Sequence, residues 1–238
     1  MSRSPFGRFR GDALRGDAGQ AFPLYITAVA ALLFLALAFF AVGRAGAVKN
    51  AAQTAADAAA LAAAQDYRDQ LRTGFLLAVG TGGGPAGAGG GWADWLAGRG
   101  GRDGPACDAA ESYARLNGAQ PAITCEPGGE PGSFTVTVVS ERTVGESVVP
   151  GTGDKHARAT AKATVTPRCD AMTPVPPTPP PTPTPTPTPT ASPSPSPTPS
   201  SPPVVDLTCD GGKVLVIDPR RPDATVKATD LFAVRLAE

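Results

Sequence analysis

The stretch from Ala21 to Gly43, AFPLYITAVAALLFLALAFFAVG, carries no formal charge, and it limits what the chain can become more than any other part. About 23 residues at 1.5 Å each match a hydrocarbon core roughly 30 Å thick, so the stretch reads as a transmembrane helix. The segment beyond it, VKNAAQTAADAAALAAAQDYRDQL from Val48 to Leu71, has neither proline nor glycine and is rich in alanine, the strongest helix former. Span and extension therefore read as one rod. Helix from Ala21 to Arg72 would be roughly 78 Å long, enough to cross a bilayer and stand clear of it. The competing reading is a cleaved secretory signal, for which Ala45-Gly46-Ala47 offers small residues. The apolar run exceeds the roughly 7–15 residues of a signal core, which favours the span.

Arg3, Arg8, Arg10 and Arg15 precede the span, whereas a similar distance beyond it holds only Arg44 and Lys49, and then Arg68. That bias places the N-terminus in the cytoplasm and everything from about residue 45 outside. Cys107, Cys125, Cys169 and Cys209 all lie after the span, and none forms a C-x-x-C pair. An oxidising compartment and an even count suit disulfides. The 28 glycines and 27 prolines are clustered, so the foldable remainder is near the size at which domains need such staples. Lys plus Arg and Asp plus Glu number 21 each, which gives no net pull toward nucleic acid.

Taken in order, residues 1–20 form a basic cytoplasmic flank, 21–43 the span and 44–72 the helical extension. Within the extension, Asn50, Gln53, Thr54 and Asp57 recur at helical steps opposite a small-residue face of Ala52, Ala55, Ala59 and Ala62. Such a face suits close packing, either on the chain's own domain or on a neighbouring subunit.

The succession of a basic flank, Gly19-Gln20-Ala21-Phe22-Pro23, the span and Asn50-Ala51-Ala52-Gln53-Thr54-Ala55-Ala56-Asp57-Ala58-Ala59-Ala60-Leu61-Ala62 resembles the TadE/TadG-like pilus-assembly proteins of the tight-adherence (Flp pilus) machinery. The resemblance covers about a quarter of the chain, roughly residues 10–65. It implies a membrane-anchored, pseudopilin-like assembly component without catalysis of its own. Its implied partners are membrane lipid and other Tad/Flp membrane proteins or pilins, and its helix motif comprises Asn50, Ala51, Ala52, Asp57, Ala58, Ala59 and Leu61. One departure concerns processing. Prepilins of this class are cut after a glycine and carry Glu five residues on, and counting from Gly19 that position is Leu24. The departure favours an uncut, TadG-like protein.

Residues 73–104 read as a flexible glycine-rich loop carrying Trp92 and Trp95. Its GTGGGPAGAGGG is no phosphate loop: after Gly80 and Gly82 the sixth position is Pro85, and no Lys-Ser/Thr comes after it. Residues 105–172 read as a small α+β domain. A helix with Ala110, Tyr113, Ala114 and Leu116 toward a core is capped by Gly118, and a short strand through Ile123 and Cys125 succeeds it. Two alternating strands come next, Ser133 to Val149 and His156 to Val165, paired antiparallel around a turn at Pro150 to Asp154. A Cys107–Cys125 bridge would close a loop of roughly 18 residues and contribute about 3 kcal/mol.

Residues 173–203 form a disordered Pro/Thr/Ser tract, extended as polyproline II. Residues 204–238 are too few to fold alone, so strands at Lys213 to Ile217 and Leu231 to Leu236 are expected to dock back on the domain. A Cys169–Cys209 bridge would make the tract a loop closed at its base, although four cysteines allow three pairings. The lone His156 has no partner motif, the carboxylates have no metal-cage spacing, and no cofactor or small-molecule substrate is indicated. The expected protein is a single-pass α+β chain and not an enzyme. The alternative is a membrane-tethered binding or sensory module that recognises wall polymer or a small ligand through its tryptophan-bearing loop.

Overall fold

The computed structural model describes residues 21–85, 91–145, 151, 153–171, 204–221 and 226–237. The basic flank, the tract at 173–203 and part of the turn at Pro150 to Asp154 lie outside the described residues.

A single helix, α1 (Ala21–Gly80), runs for 60 residues, about 90 Å. Its first part stands free: Phe22, Leu24, Leu32, Phe34, Phe39 and Phe40 are all exposed, which is what a lipid-facing surface requires. From Ala52 onward the same helix enters a core. Ala52, Ala55, Ala56, Ala59, Ala60, Ala62, Ala63 and Ala64 are buried, covering an arc of roughly 200° at 100° per residue. So wide an arc needs cover on two sides. One side is the sheet through β2 (Ser133–Thr143) and β3 (His156–Pro167), and the other is α3 (Asp103–Leu116). Tyr67 meets Phe134 of β2 edge to face, with ring centroids 5.5 Å apart.

The helix does not stop at Arg72, and 73–104 is not simply a loop. Phe75, Leu76 and Val79 continue α1 because they are buried with Trp92 and Leu96 of a short helix, α2 (Trp92–Leu96); Phe75 and Trp92 stack edge to face at 6.2 Å. Tertiary burial here overrides the weak helix propensity of Gly74. Gly74 is also required sterically, because a Cβ there would run into the Trp95 indole. Gly74→Ala is therefore expected to destabilise the domain by about 1–2 kcal/mol, where an unconstrained helical glycine would gain about 1 kcal/mol from the change. A thermal melt with tryptophan fluorescence checks it, and a raised midpoint would contradict the contact.

α3 buries only Ala106, Ala110 and Ala114, a stripe at i, i+4, i+8 that lies against α1. Tyr113 and Leu116 do not face the core as expected; they are 52% and 77% exposed. Close approach of two alanine faces leaves no room for larger side chains at the seam. The helix ends in a Schellman motif, in which Gly118 at φ +77° donates to Arg115 O and Ala119 donates to Ala114 O.

The main sheet has the order β1-β2-β3-β7, with β1 at Thr124–Pro127 and β7 at Phe232–Ala237. β2 and β3 pair antiparallel with Phe134, Val136 and Val138 opposite Ala163, Ala161 and Ala159. These six face α1 with little or no exposure, the period-2 pattern of a half-buried sheet. Large residues on one strand sit opposite small ones on the next, so α1 can lie close over both. β2 ends at Thr143; residues 146–149 of the expected strand lie outside the described residues. The C-terminal segment does dock back, since β7 pairs with β3 from Lys162 to Pro167. A second sheet, β4-β5-β6, comprises Cys169–Ala171, Val205–Cys209 and Lys213–Ile217. Cys107 is bonded to Cys125 and Cys169 to Cys209; the second bridge joins directly opposed residues of β4 and β5. A short helix, α4 (Ala228–Leu231), precedes β7. Its Asp230 accepts from Lys213 at 3.0 Å and from the Lys227 amide at 3.1 Å, and these bonds, the lysine first, hold its carboxyl below the usual range.

Candidate functional site

The residues singled out by the sequence converge on α1 between Asn50 and Asp66, where the membrane helix becomes the backbone of the domain. Ala52 and Ala59 are sealed in the core, Asp57, Ala58 and Leu61 are half-buried, and Asn50 and Ala51 are exposed. The small-residue face thus packs on the chain's own sheet and α3.

The polar face that includes Gln53 and Asp57 has a role at the sheet edge. β7 covers the edge of β3 only from Lys162 onward, so among the described residues the lower edge of β3 has no strand neighbour. Side chains of α1 take that place. Lys49 Nζ donates to Arg158 O at 2.8 Å, and Gln53 Nε2 lies 3.5 Å from Thr160 O while donating to Asp57 Oδ1 at 2.9 Å. Residues 49, 53 and 57 are one turn apart, so they form a polar row on one face of the helix. A strand carbonyl without a strand partner bonds to water or to a side chain, and here Lys49 and Gln53 are the side-chain donors. The available signal is the i, i+4 spacing of long polar side chains beside an alanine face.

Further up, α1 holds the connections around it. Gln70 Oε1 accepts from the Arg102 amide at 2.9 Å while its Nε2 donates to Arg102 O at 3.2 Å, and Arg72 Nε donates to Val226 O at 2.7 Å. Tyr67 donates to Gly98 O at 3.1 Å; burial and then the nearby Asp103 carboxylate push its phenol pKa up. Gly101 passes so close to the Tyr67 ring that a Cβ would collide with it. Gln70→Ala is expected to cost about 1–2 kcal/mol, because it removes two bonds to a single backbone unit. Urea unfolding of the full chain in detergent checks this, and an unchanged midpoint would show that the loop holds itself.

The other sequence candidates do not assemble into chemistry. Trp92 is buried, and Trp95 is half-buried over Gly74. His156 is exposed at the start of β3, where its Nδ1 donates to Ser140 O at 2.7 Å. Ser140 itself sits at an irregularity in the β2–β3 register, accepting from the Ala157 amide and donating to Arg142 O. Among the described residues no group of three or more His, Cys, Asp or Glu side chains is placed to hold a metal ion.

α1 is the described helix that is long and apolar enough to cross a membrane, and its apolar window is wholly unburied. Comparison with curated proteins and with solved structures gives no match. Residues 19–66, of which 21–66 run through the free apolar half of α1 and the alanine-lined half seated in the domain, match the Tad family model, described as "Putative Flp pilus-assembly TadE/G-like".

Proposed function

We propose that this chain is a membrane-anchored, non-enzymatic component of Flp/Tad pilus assembly or a related surface system, with its N-terminus in the cytoplasm and its α+β domain outside. The observation that carries the reading is the match over residues 19–66, because it falls on the continuous helix that is bare and apolar at one end and locked into a domain at the other. Such a rod transmits position: the orientation of the helix in the bilayer fixes that of the domain, since no loop intervenes between them. The cytoplasmic N-terminus rests on the arginines before the span, and two disulfides suit an oxidising exterior. Partners under this reading are other Tad/Flp membrane proteins or pilins.

A strain lacking the chain is expected to lose or misassemble its surface filaments, and normal filaments in that strain would remove the assembly role. Alkaline extraction is expected to leave the protein in the membrane pellet, whereas release into the supernatant would remove the anchor.

A further inference from the structure

The end of the domain nearest the span carries a charge pattern that the assembly role does not use. α3 runs antiparallel to α1, so its C-terminal turn, the end of β2 and the start of β3 gather beside the residues that leave the span. Ala47, Val48 and Ala51 share a groove with Arg115, Leu116 and Arg142. Gly145, just past β2, lies against the Arg44 guanidinium, and the Val144 amide donates to Lys155 O at 2.9 Å. Lys49 touches β3 at Arg158. Counting 1.5 Å per residue from Gly43, this rim stands roughly 2–12 Å beyond the end of the apolar run, about the reach of a surface potential at physiological salt.

Six bases belong to the rim: Arg44, Lys49, Arg115, Arg142, Lys155 and Arg158. Three acids, Glu141, Glu146 and Asp154, belong to the same stretch of sequence. Elsewhere after residue 43 the balance reverses, with eleven bases against sixteen acids. By sequence the rim is therefore net positive, and the rest of the chain beyond the span is net negative. All six bases are exposed. Glu111 and Asp108 lie one and two turns above Arg115 on α3, beside Glu141, and His156 and Tyr113 are further titratable groups near the rim. The two large side chains that α3 leaves out of the core, Tyr113 and Leu116, are at this same end. An aromatic with a polar tip and an aliphatic side chain are suited to the interfacial zone of a bilayer.

We propose that this rim binds anionic phospholipid head groups of the leaflet it faces, with Arg115, Arg142, Lys155 and Arg158 contacting phosphate oxygens and Leu116 entering the interface. The proposal rests on Ala21 to Gly43 spanning the membrane but not on which side the domain occupies. Its effect is to fix the tilt of the rod, because a domain held at its base cannot lean freely.

The test is amide hydrogen exchange on the full chain in nanodiscs of phosphatidylcholine alone and of phosphatidylcholine with 30% phosphatidylglycerol. Anionic lipid is expected to slow exchange at residues 113–119, 141–145 and 153–158 by roughly fivefold or more, the scale of one surface-bound basic residue. The slowing is expected to disappear in the R115Q/R142Q/K155Q/R158Q variant and at high salt. Equal exchange in the two lipids overturns the proposal, and so does slowing that survives both the substitutions and salt, which would indicate contact with a neighbouring subunit. A chain that fails to enter nanodiscs at all would instead remove the span, a different result from either.

Discussion

Ala59→Asp is expected to unfold the domain while leaving the membrane half of α1 helical. Ala59 has no exposure and lies in the alanine arc enclosed by the sheet and α3. The nearest basic side chain on its own helix, Arg68, is nine residues away and pairs with Asp69. A carboxylate forced into that seam would lack both room and a partner, a combination that costs several kcal/mol against a total stability of about 5–15 kcal/mol for a domain. Circular dichroism of the full chain in detergent should then keep a helical far-ultraviolet signal and lose its near-ultraviolet bands, with limited proteolysis cutting after residue 80. Ala51→Asp is the matched comparison, since Ala51 is exposed on the same helix, and there the change should stay within about 0.5 kcal/mol. If the two variants behave alike, α1 is not enclosed as described.

Phe134→Ala is the second large effect. This ring has no exposure, meets Tyr67 edge to face and stands opposite Ala163. Because the strand opposite offers only a methyl group there, that strand does not refill the space. The loss should therefore sit at the full large-to-small cost of about 3–5 kcal/mol. Ala163→Leu in the Phe134→Ala background is expected to recover part of it by refilling the same volume from the other strand. Denaturant midpoints for the single and double variants decide this, and additive destabilisation would show that the two positions do not share one cavity.

Local pattern is enough for some elements. Ala21 to Gly43 needs only its length and lack of charge, the alternation of Phe134, Val136 and Val138 announces β2, and the run Lys213 to Ile217 coincides with β6. Elements decided by distant partners are misplaced by the same reasoning. Gly74 resembles a helix end because glycine is a poor helix former, and nothing local reveals that the Trp95 indole occupies the place of its missing side chain. Tyr113 and Leu116 resemble core because they are large and apolar, whereas α3 meets another alanine face and only alanines fit the seam. At the candidate site, the alanine face is visible as a small-residue pattern. The row of Lys49, Gln53 and Asp57 is less so, because its purpose depends on how far β7 reaches along β3.

The Cys169–Cys209 bond acts as a short circuit in the path of the chain. The contact between Pro167 and Phe232 closes a loop of about 65 residues, but the bond lets the path skip from 169 to 209 and cuts the effective loop to about 25, lowering the entropy of closure by roughly 0.8 kcal/mol. More than the saving, it makes the sheet indifferent to whatever lies between residues 171 and 205. Proline–threonine repeats can be gained or lost there without changing the distance that β7 must search to find β3. The tract is thus free to vary in length while the rod and the domain built on it stay constant.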